Sequence, residues 1–267
     1  MTPSTYYICN TCGVQYNARV EPPTHCRICE DDRQYVKEEG QQWTTLKDVN
    51  TAYKNNIELI AEHVYAIYTT PSFAIGQRAH LIQTPDGNVL WDCITNLDTE
   101  TITRVKELGG IKAIALSHPH YFSTIVEWSR AFNNAPVYVN ALDAEWLGRT
   151  DNCIQLWHEA VLPLWGGIQL VRCGGHFPGA SILYWPAGKG ALFVSDTIQV
   201  APNRKTVSFM YSYPNLIPLP KREILNIQAT VAPLAYDAMY GAFGHYIRTG
   251  AQAAMEHSVK RYLEIFE

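Results

Sequence analysis

Two groups of residues in this chain have the types and spacing for metal chemistry. The stretch ALSHPHYFSTIVEW, residues 115–128, sets His118 and His120 two positions apart behind a short apolar run. Residues i and i+2 of a strand share a face, so both imidazoles reach one ion where such a strand runs into a loop. On its own this pair, split by Pro119, reads equally well as a strand end that carries two histidines. Three later segments add donors in similar settings: CGGHFPGAS puts His176 in a glycine-rich turn, GALFVSDT puts Asp196 at the end of an apolar run, and GAFGHYI puts His245 in a glycine-flanked loop. Strand-to-loop junctions are where sites are usually assembled, which favours the metal reading.

The second group is Cys9, Cys12, Cys26 and Cys29, two CxxC knuckles separated by thirteen residues. Four thiolates close tetrahedrally around zinc, and Gly13 permits a tight turn after the first knuckle. Such a closed shell has no free position, so the site is structural. Zinc is preferred to iron because nothing in the sequence demands redox chemistry. His25, beside Cys26, is not needed as a ligand. Cys93, Cys153 and Cys173 are scattered and read as buried small hydrophobes.

The order HxH, GHxPG, SDT and a late histidine, over roughly residues 60 to 250, resembles the metallo-β-lactamase superfamily. Asp92 in VLWDC fits the family's early DTG strand in position, with Cys93 and Ile94 in place of Thr and Gly. The N-terminal segment, CRICEDDRQYV included, looks like an extension carried by a subgroup of metal-dependent hydrolases. The resemblance implies an α/β fold, an αββα sandwich with the metal site between the sheet edges. It implies that His118, His120 and His176 hold an ion, with Asp196 as fourth ligand or close neighbour. The family motif is HxHxDH, however, and Phe122 and Ser123 occupy its last two positions. A second ion loses two ligands, His245 alone standing roughly in place, and a single catalytic zinc or other divalent ion is expected.

The activity so implied is hydrolysis of an ester, thioester, lactone or amide by metal-bound hydroxide, since zinc lowers the pKa of its water to about 7. Asp196 would orient that water if it is not fully ligated, and Tyr121 would donate to the developing oxyanion; these two are the catalytic candidates. Glu127 is a weaker candidate for the metal environment. Two other readings stay open. One is a binding protein or pseudo-enzyme with a structural metal. The other is iron in both sites with an electron-transfer role, suggested by the rubredoxin-like ICNTCG but opposed by His120 and Phe122, where the flavodiiron arrangement wants Glu and Asp.

These residues need elements to position them. Residues 1–40 read as the four-cysteine module and its linker, the charged run EDDRQYVKEEG being a solvated face, and residues 41–267 as the metallo-β-lactamase-like domain. TLKDV and AYKNNIELIAEHV suit a short helix, VYAIYTT a strand, and RAHLIQTPDGNVLWDC a hairpin turned at PDG. TETITRVKELGG reads as a helix ended by its glycines, with Thr99 or Thr101 near its start. KAIALSH and PVYVNA read as strands, IVEWSRAFNNA and DAEWLGR as helices. GGIQLVRCGG, SILYWPAG and GALFVSD suit consecutive antiparallel strands, and KREILNIQATVAPL and TGAQAAMEHSVKRYLEIF are helical. The segment VSFMYSYPNLIPLP suits either a substrate-pocket loop or a crossover packed on the core. His63, His80, His158 and His257 lie outside the pattern, as ordinary core or surface histidines.

Composition bounds the partners. With 47% hydrophobic and 17% charged residues the chain has the makings of a globular core. A formal charge of -4 offers no basic footprint for nucleic acid. No run approaches the ~18 apolar residues of a membrane span, and the start lacks a signal-peptide pattern. The expectation is a cytoplasmic protein whose partner is a small-molecule substrate.

Overall fold

The structure, a computed structural model, describes residues 4–266. A seven-stranded sheet runs in the order Lys54–Ala61, Val64–Thr70, Ala79–Ile82, Val89–Trp91, Ala113–Ala115, Val137–Asn140 and Ile154–Trp157. Its first four strands are antiparallel, and pairing becomes parallel from Val89–Trp91 onward. A six-stranded sheet follows: Val161–Pro163, Gln169–Arg172, Ser181–Trp185, Ala191–Ser195, Ala238–Gly241 and Tyr246–Ile247.

Three apolar layers hold the sheets in an αββα sandwich. Between them Trp91, Ile82 and Ala115 of the first sheet meet Leu170, Leu183 and Phe193 of the second. Outside the first sheet Leu81, Leu90 and Ile114 pack on Val105 of helix Thr99–Glu107 and on Trp128 of helix Ile125–Ala131. Outside the second, Ile182, Leu192 and Met239 pack on Ile224 and Ile227 of helix Lys221–Val231 and on Met255 and Val259 of helix Ala251–Ile265. Strand Ala191–Ser195 is covered on both faces and buried throughout, which is why it reads as a continuous apolar run without alternation.

Three local expectations change. Residues 54–61, expected to be helical, form an edge strand paired antiparallel with Val64–Thr70, with Asn55 and Ile57 half-buried between exposed Lys54, Asn56 and Glu58 at period two. Helix Thr99–Glu107 is capped by Asp98, which accepts from the Thr101 N–H at 2.7 Å, so neither threonine is the cap. DAEWLGR gives only a 3₁₀ turn, Ala141–Trp146, entered through the Asn140 side chain.

The cysteine segment is built into the first outer layer. Cys9, Cys12, Cys26 and Cys29 share a buried cluster with Leu90, Cys93, Phe122 and Trp128. The Gln15 N–H donates to Ser123 O at 3.0 Å, and Thr95 Oγ1 donates to Gly13 O at 3.0 Å. Gly13 has φ +80°, and a Cβ there would lie 2.3 Å from Thr95 Oγ1. Only glycine meets both conditions, the backbone region and the close approach. Among the described residues no helix is long and apolar enough to cross a membrane.

Candidate metal centre

One ligand atom each from His118, His120, His176 and Asp196 comes together, all within 4.8 Å of one another. The chain reaches this arrangement by a route the simple strand picture misses. The strand ends at Ala115; His118 is extended, and Pro119–Tyr121 is a 3₁₀ turn that swings His120 back. His120 therefore offers Nδ1, which lies 3.5 Å from His176 Nε2. Asp196 Oδ2 stands 3.4 Å from His118 Nε2, 3.9 Å from His120 Nδ1 and 4.0 Å from His176 Nε2. Zinc bonds of about 2.0–2.1 Å in a tetrahedron put donors about 3.3 Å apart, so the set, 3.4–4.0 Å apart in these pairs, closes on one ion by drawing inward.

The outer contact of His176 fixes its tautomer. His176 Nδ1 lies 3.1 Å from the carbonyl of Met210, which only accepts, so Nδ1 carries the hydrogen and Nε2 keeps its lone pair for a metal. His118 Nδ1 is 2.8 Å from Ser117 Oγ, a hydroxyl that serves either tautomer, and its Nε2 faces Asp196. Burial pushes His118 down to about 4 and His176 well below the ordinary histidine value, so both are neutral ligands at neutral pH. For Asp196 burial acts upward, but hydrogen bonding with His118 and His120 outweighs it and holds the carboxyl below its usual range. Its Oδ1 is buried without a partner.

Asp92 supports the site from behind. Its Oδ1 accepts from the Ser117 N–H at 2.8 Å and its Oδ2 from Ser195 Oγ, so one carboxyl ties together the residues preceding His118 and Asp196. Burial raises it to about 7, against the pull of these donors. Tyr121 is fully buried, its ring centre 5.2 Å from that of His118; its hydroxyl has no hydrogen-bond partner and burial raises its pKa far above the usual value. His245 does not join the group; its Nδ1 is buried without a partner and its carbonyl accepts from Gly241.

Phe122 and Ser123 face other tasks. Phe122 is 2% exposed in the layer that holds the cysteines, and Ser123 Oγ donates to Cys93 O at 3.2 Å. Glu127 is likewise committed elsewhere, accepting from Arg149, which also donates to Gln15. His80 is a core histidine between Phe193 and Tyr246, pushed to about 3 by burial first and by Arg78 second.

The four cysteines form the second centre. Cys9 and Cys29 Sγ are 3.5 Å apart, Cys12 and Cys26 Sγ 3.6 Å, close to the about 3.8 Å of a tetrahedral zinc–thiolate shell. The Thr11 N–H and Gln41 Nε2 donate to Cys9 Sγ, and the Tyr16 hydroxyl to Cys26 Sγ, supplying donors that stabilise thiolate sulfur. No cysteine is in a disulfide.

One residue near the histidines carried no signal in the sequence. Arg33, only 8% exposed, sits with its guanidinium carbon 3.8 Å from the Phe177 ring centre and donates to His176 O at 3.3 Å. It stands amid EDDRQYVKEEG, where local charge reads as solvated surface.

Comparison with known proteins agrees with this geometry. The model of the metallo-beta-lactamase superfamily matches residues 75–226, and the chain belongs to that superfamily. It is 51% identical to the uncharacterized protein YmaE of Bacillus subtilis (strain 168), over 97% of this chain and 96% of the other. Among solved structures it is similar to a metallo-beta-lactamase from Pontibacter korlensis, with TM-score 0.58 and 18% identity over 78% of this chain and 98% of that one. It is also similar to the metallo-beta-lactamase FIM-1 of Pseudomonas aeruginosa in its mono-zinc form, with TM-score 0.57 and 13% identity over 79% and 96%. At these identities the solved structures speak for the fold.

Proposed function

We propose that the chain is a metal-dependent hydrolase of a small-molecule ester, thioester, lactone or amide, with one divalent ion, preferably zinc, at the histidine centre and another, structural, at the four cysteines. The observation that carries this is the convergence of three imidazoles and a carboxylate while Phe122 and Ser123 are spent on the core. An ion held by His118, His120 and His176 supplies Lewis acidity and an acidified water.

The remaining work falls to the chain. Asp196 stays ionised, and its unpartnered Oδ1 is an acceptor that orients a nucleophile. Tyr121 keeps its hydroxyl proton and has no acceptor, so it is a donor available to a developing oxyanion. Phe177, whose ring centre is 5.1 Å from both the His120 and the His176 ring centres, excludes water and strengthens these interactions.

A second reading is a non-hydrolytic member of the fold with a structural ion. It is favoured by burial: none of the four ligand residues is more than 4% exposed, and four protein donors close a tetrahedron. Metal analysis and a screen of lactones, thioesters, esters and β-lactams separate the two. The hydrolase reading expects about two zinc per chain, about one in His118→Ala/His120→Ala, and turnover lost with the second ion. Two ions with no turnover across the screen favour the structural reading. Unchanged metal content in the double variant sinks both, and visible charge-transfer colour points to iron.

A further inference from the structure

The segment after the second cysteine knuckle is a chain of turns leading from one centre to the other. The Glu30 N–H donates to Cys26 O at 3.0 Å, the Gln34 N–H to Asp31 O at 2.9 Å, and the Arg33 N–H to Asp31 Oδ1 at 3.0 Å. Asp31 also takes both sides of the Arg33 fork, Nε at 2.5 Å and an NH2 nitrogen at 2.8 Å. From the far side Asn215 Nδ2 donates to the carbonyls of Asp32 and Gln34 at 2.8 and 3.0 Å. Arg33 is thus held in one orientation, four residues beyond Cys29.

What it holds in turn is the loop carrying His176. Its guanidinium rests on Phe177, donates to the His176 carbonyl, and lies 5.1 and 5.2 Å from the rings of Trp146 and Tyr211. The same loop is gripped from beneath by Asp143, which accepts from the Gly179 N–H at 2.7 Å. At Gly179 a Cβ would lie 2.7 Å from the Asp143 carboxyl carbon, so the loop has no slack on that side. A guanidinium clamped bidentately, stacked on an aromatic ring and bonded to the carbonyl of a ligand residue restricts where that ligand's imidazole can point.

We propose that Arg33 is a positioning residue of the histidine centre, which fixes the His176 loop and thereby couples occupancy of the four-cysteine site to metal affinity at the histidines. The coupling rests on the metal-holding reading above and not on hydrolysis. It is reciprocal by thermodynamic necessity: an ion at either centre tightens the other by the same factor.

Cobalt(II) is the probe, because thiolate ligation gives charge-transfer absorption that imidazole and carboxylate ligation lacks, so the two centres titrate separately. Arg33→Ala is expected to lower cobalt affinity at the histidines about tenfold, a hydrogen bond from a charged group being lost. The thiolate band in that variant should titrate with its affinity reduced only when the histidine site is filled. Arg33→Lys should recover little, since an ammonium cannot make the paired bonds to Asp31. An unchanged histidine-site affinity overturns the proposal. So does equal weakening of both centres regardless of order of loading, which marks a general loosening. Amide hydrogen exchange on the same proteins tests the clamp without metal: residues 174–180 should lose protection in Arg33→Ala while 64–70 keep theirs, and equal protection overturns it. A wild type that takes cobalt only on its thiolates sinks the functional reading and the coupling together, leaving exchange to decide on the clamp.

Discussion

Restoring the family motif by Phe122→Asp/Ser123→His is expected to unfold the chain before it gains a metal. Phe122 is 2% exposed and packed in the layer shared by Cys93, Val126 and Trp128. Deleting a buried Phe side chain costs about 3–5 kcal/mol, and an unpaired carboxylate in its place adds a penalty of several kcal/mol more. Ser123 is 1% exposed, its hydroxyl donates to Cys93 O and its carbonyl accepts from Gln15, so an imidazole there meets occupied space. The sum approaches the whole stability of an ordinary domain, about 5–15 kcal/mol. Urea unfolding followed by tryptophan fluorescence, with metal counted on the soluble fraction, gives the answer. The single variant Phe122→Asp should lower the midpoint severely or leave only aggregated protein. A double variant that keeps the wild-type midpoint and binds one additional ion would refute the reasoning.

Other perturbations have defined outcomes. Asp92→Ala orphans the Ser117 N–H and the Ser195 hydroxyl, at about 1–3 kcal/mol each, and should weaken histidine-site metal binding more than Asp92→Asn does, read by chelator competition. Asp143 is raised to about 7, burial being the main cause against the Gly179 N–H and Arg33. Its folded form keeps a proton that the unfolded chain has released, so its stabilisation is complete below about pH 4 and fades as pH rises to about 7; Asp143→Asn should gain on wild type by up to about 4 kcal/mol across that window, seen in urea midpoints. Cys12→Ser should lose the four-cysteine ion and lower the melting temperature of the whole chain in a single transition, because Cys12 is buried in the same layer as the first sheet; a preserved melting temperature contradicts that shared packing.

Much of this was legible because metal donors announce themselves locally. The CxxC pairs, HPH, GHFPG and SDT each combine a donor with the glycine or strand end that presents it, so type and setting appear within a few residues. The three central strands of the second sheet, Gln169–Arg172, Ser181–Trp185 and Ala191–Ser195, are equally plain, being apolar runs between glycines, whereas Val161–Pro163, Ala238–Gly241 and Tyr246–Ile247 are short and do not stand out. Lys54–Ala61 was not, since an edge strand with Asn and Glu on its open face dilutes its alternation with helix-compatible residues. The spacing of His120 pairs it with His118, but its 3₁₀ turn depends on Pro119 and on what the ring meets. Arg33 was invisible in principle: it stands in a run rich in charged residues, and its burial comes from a return to residue 176 across 143 positions. His245 shows the opposite limit, a glycine-flanked histidine whose surroundings look suitable in sequence while the geometry leaves it outside the four.

The absence of room at Gly13 reaches beyond stability. A segment that meets Thr95 with no space for a methyl group, and pairs its backbone with Ser123, is not a cassette. Grafted onto another sandwich of this architecture, it would find aspartate and histidine where it needs phenylalanine and serine; cut away here, it would bare the flank of the first sheet. The two parts are therefore exchangeable only together, and an engineer who wants either must transplant both.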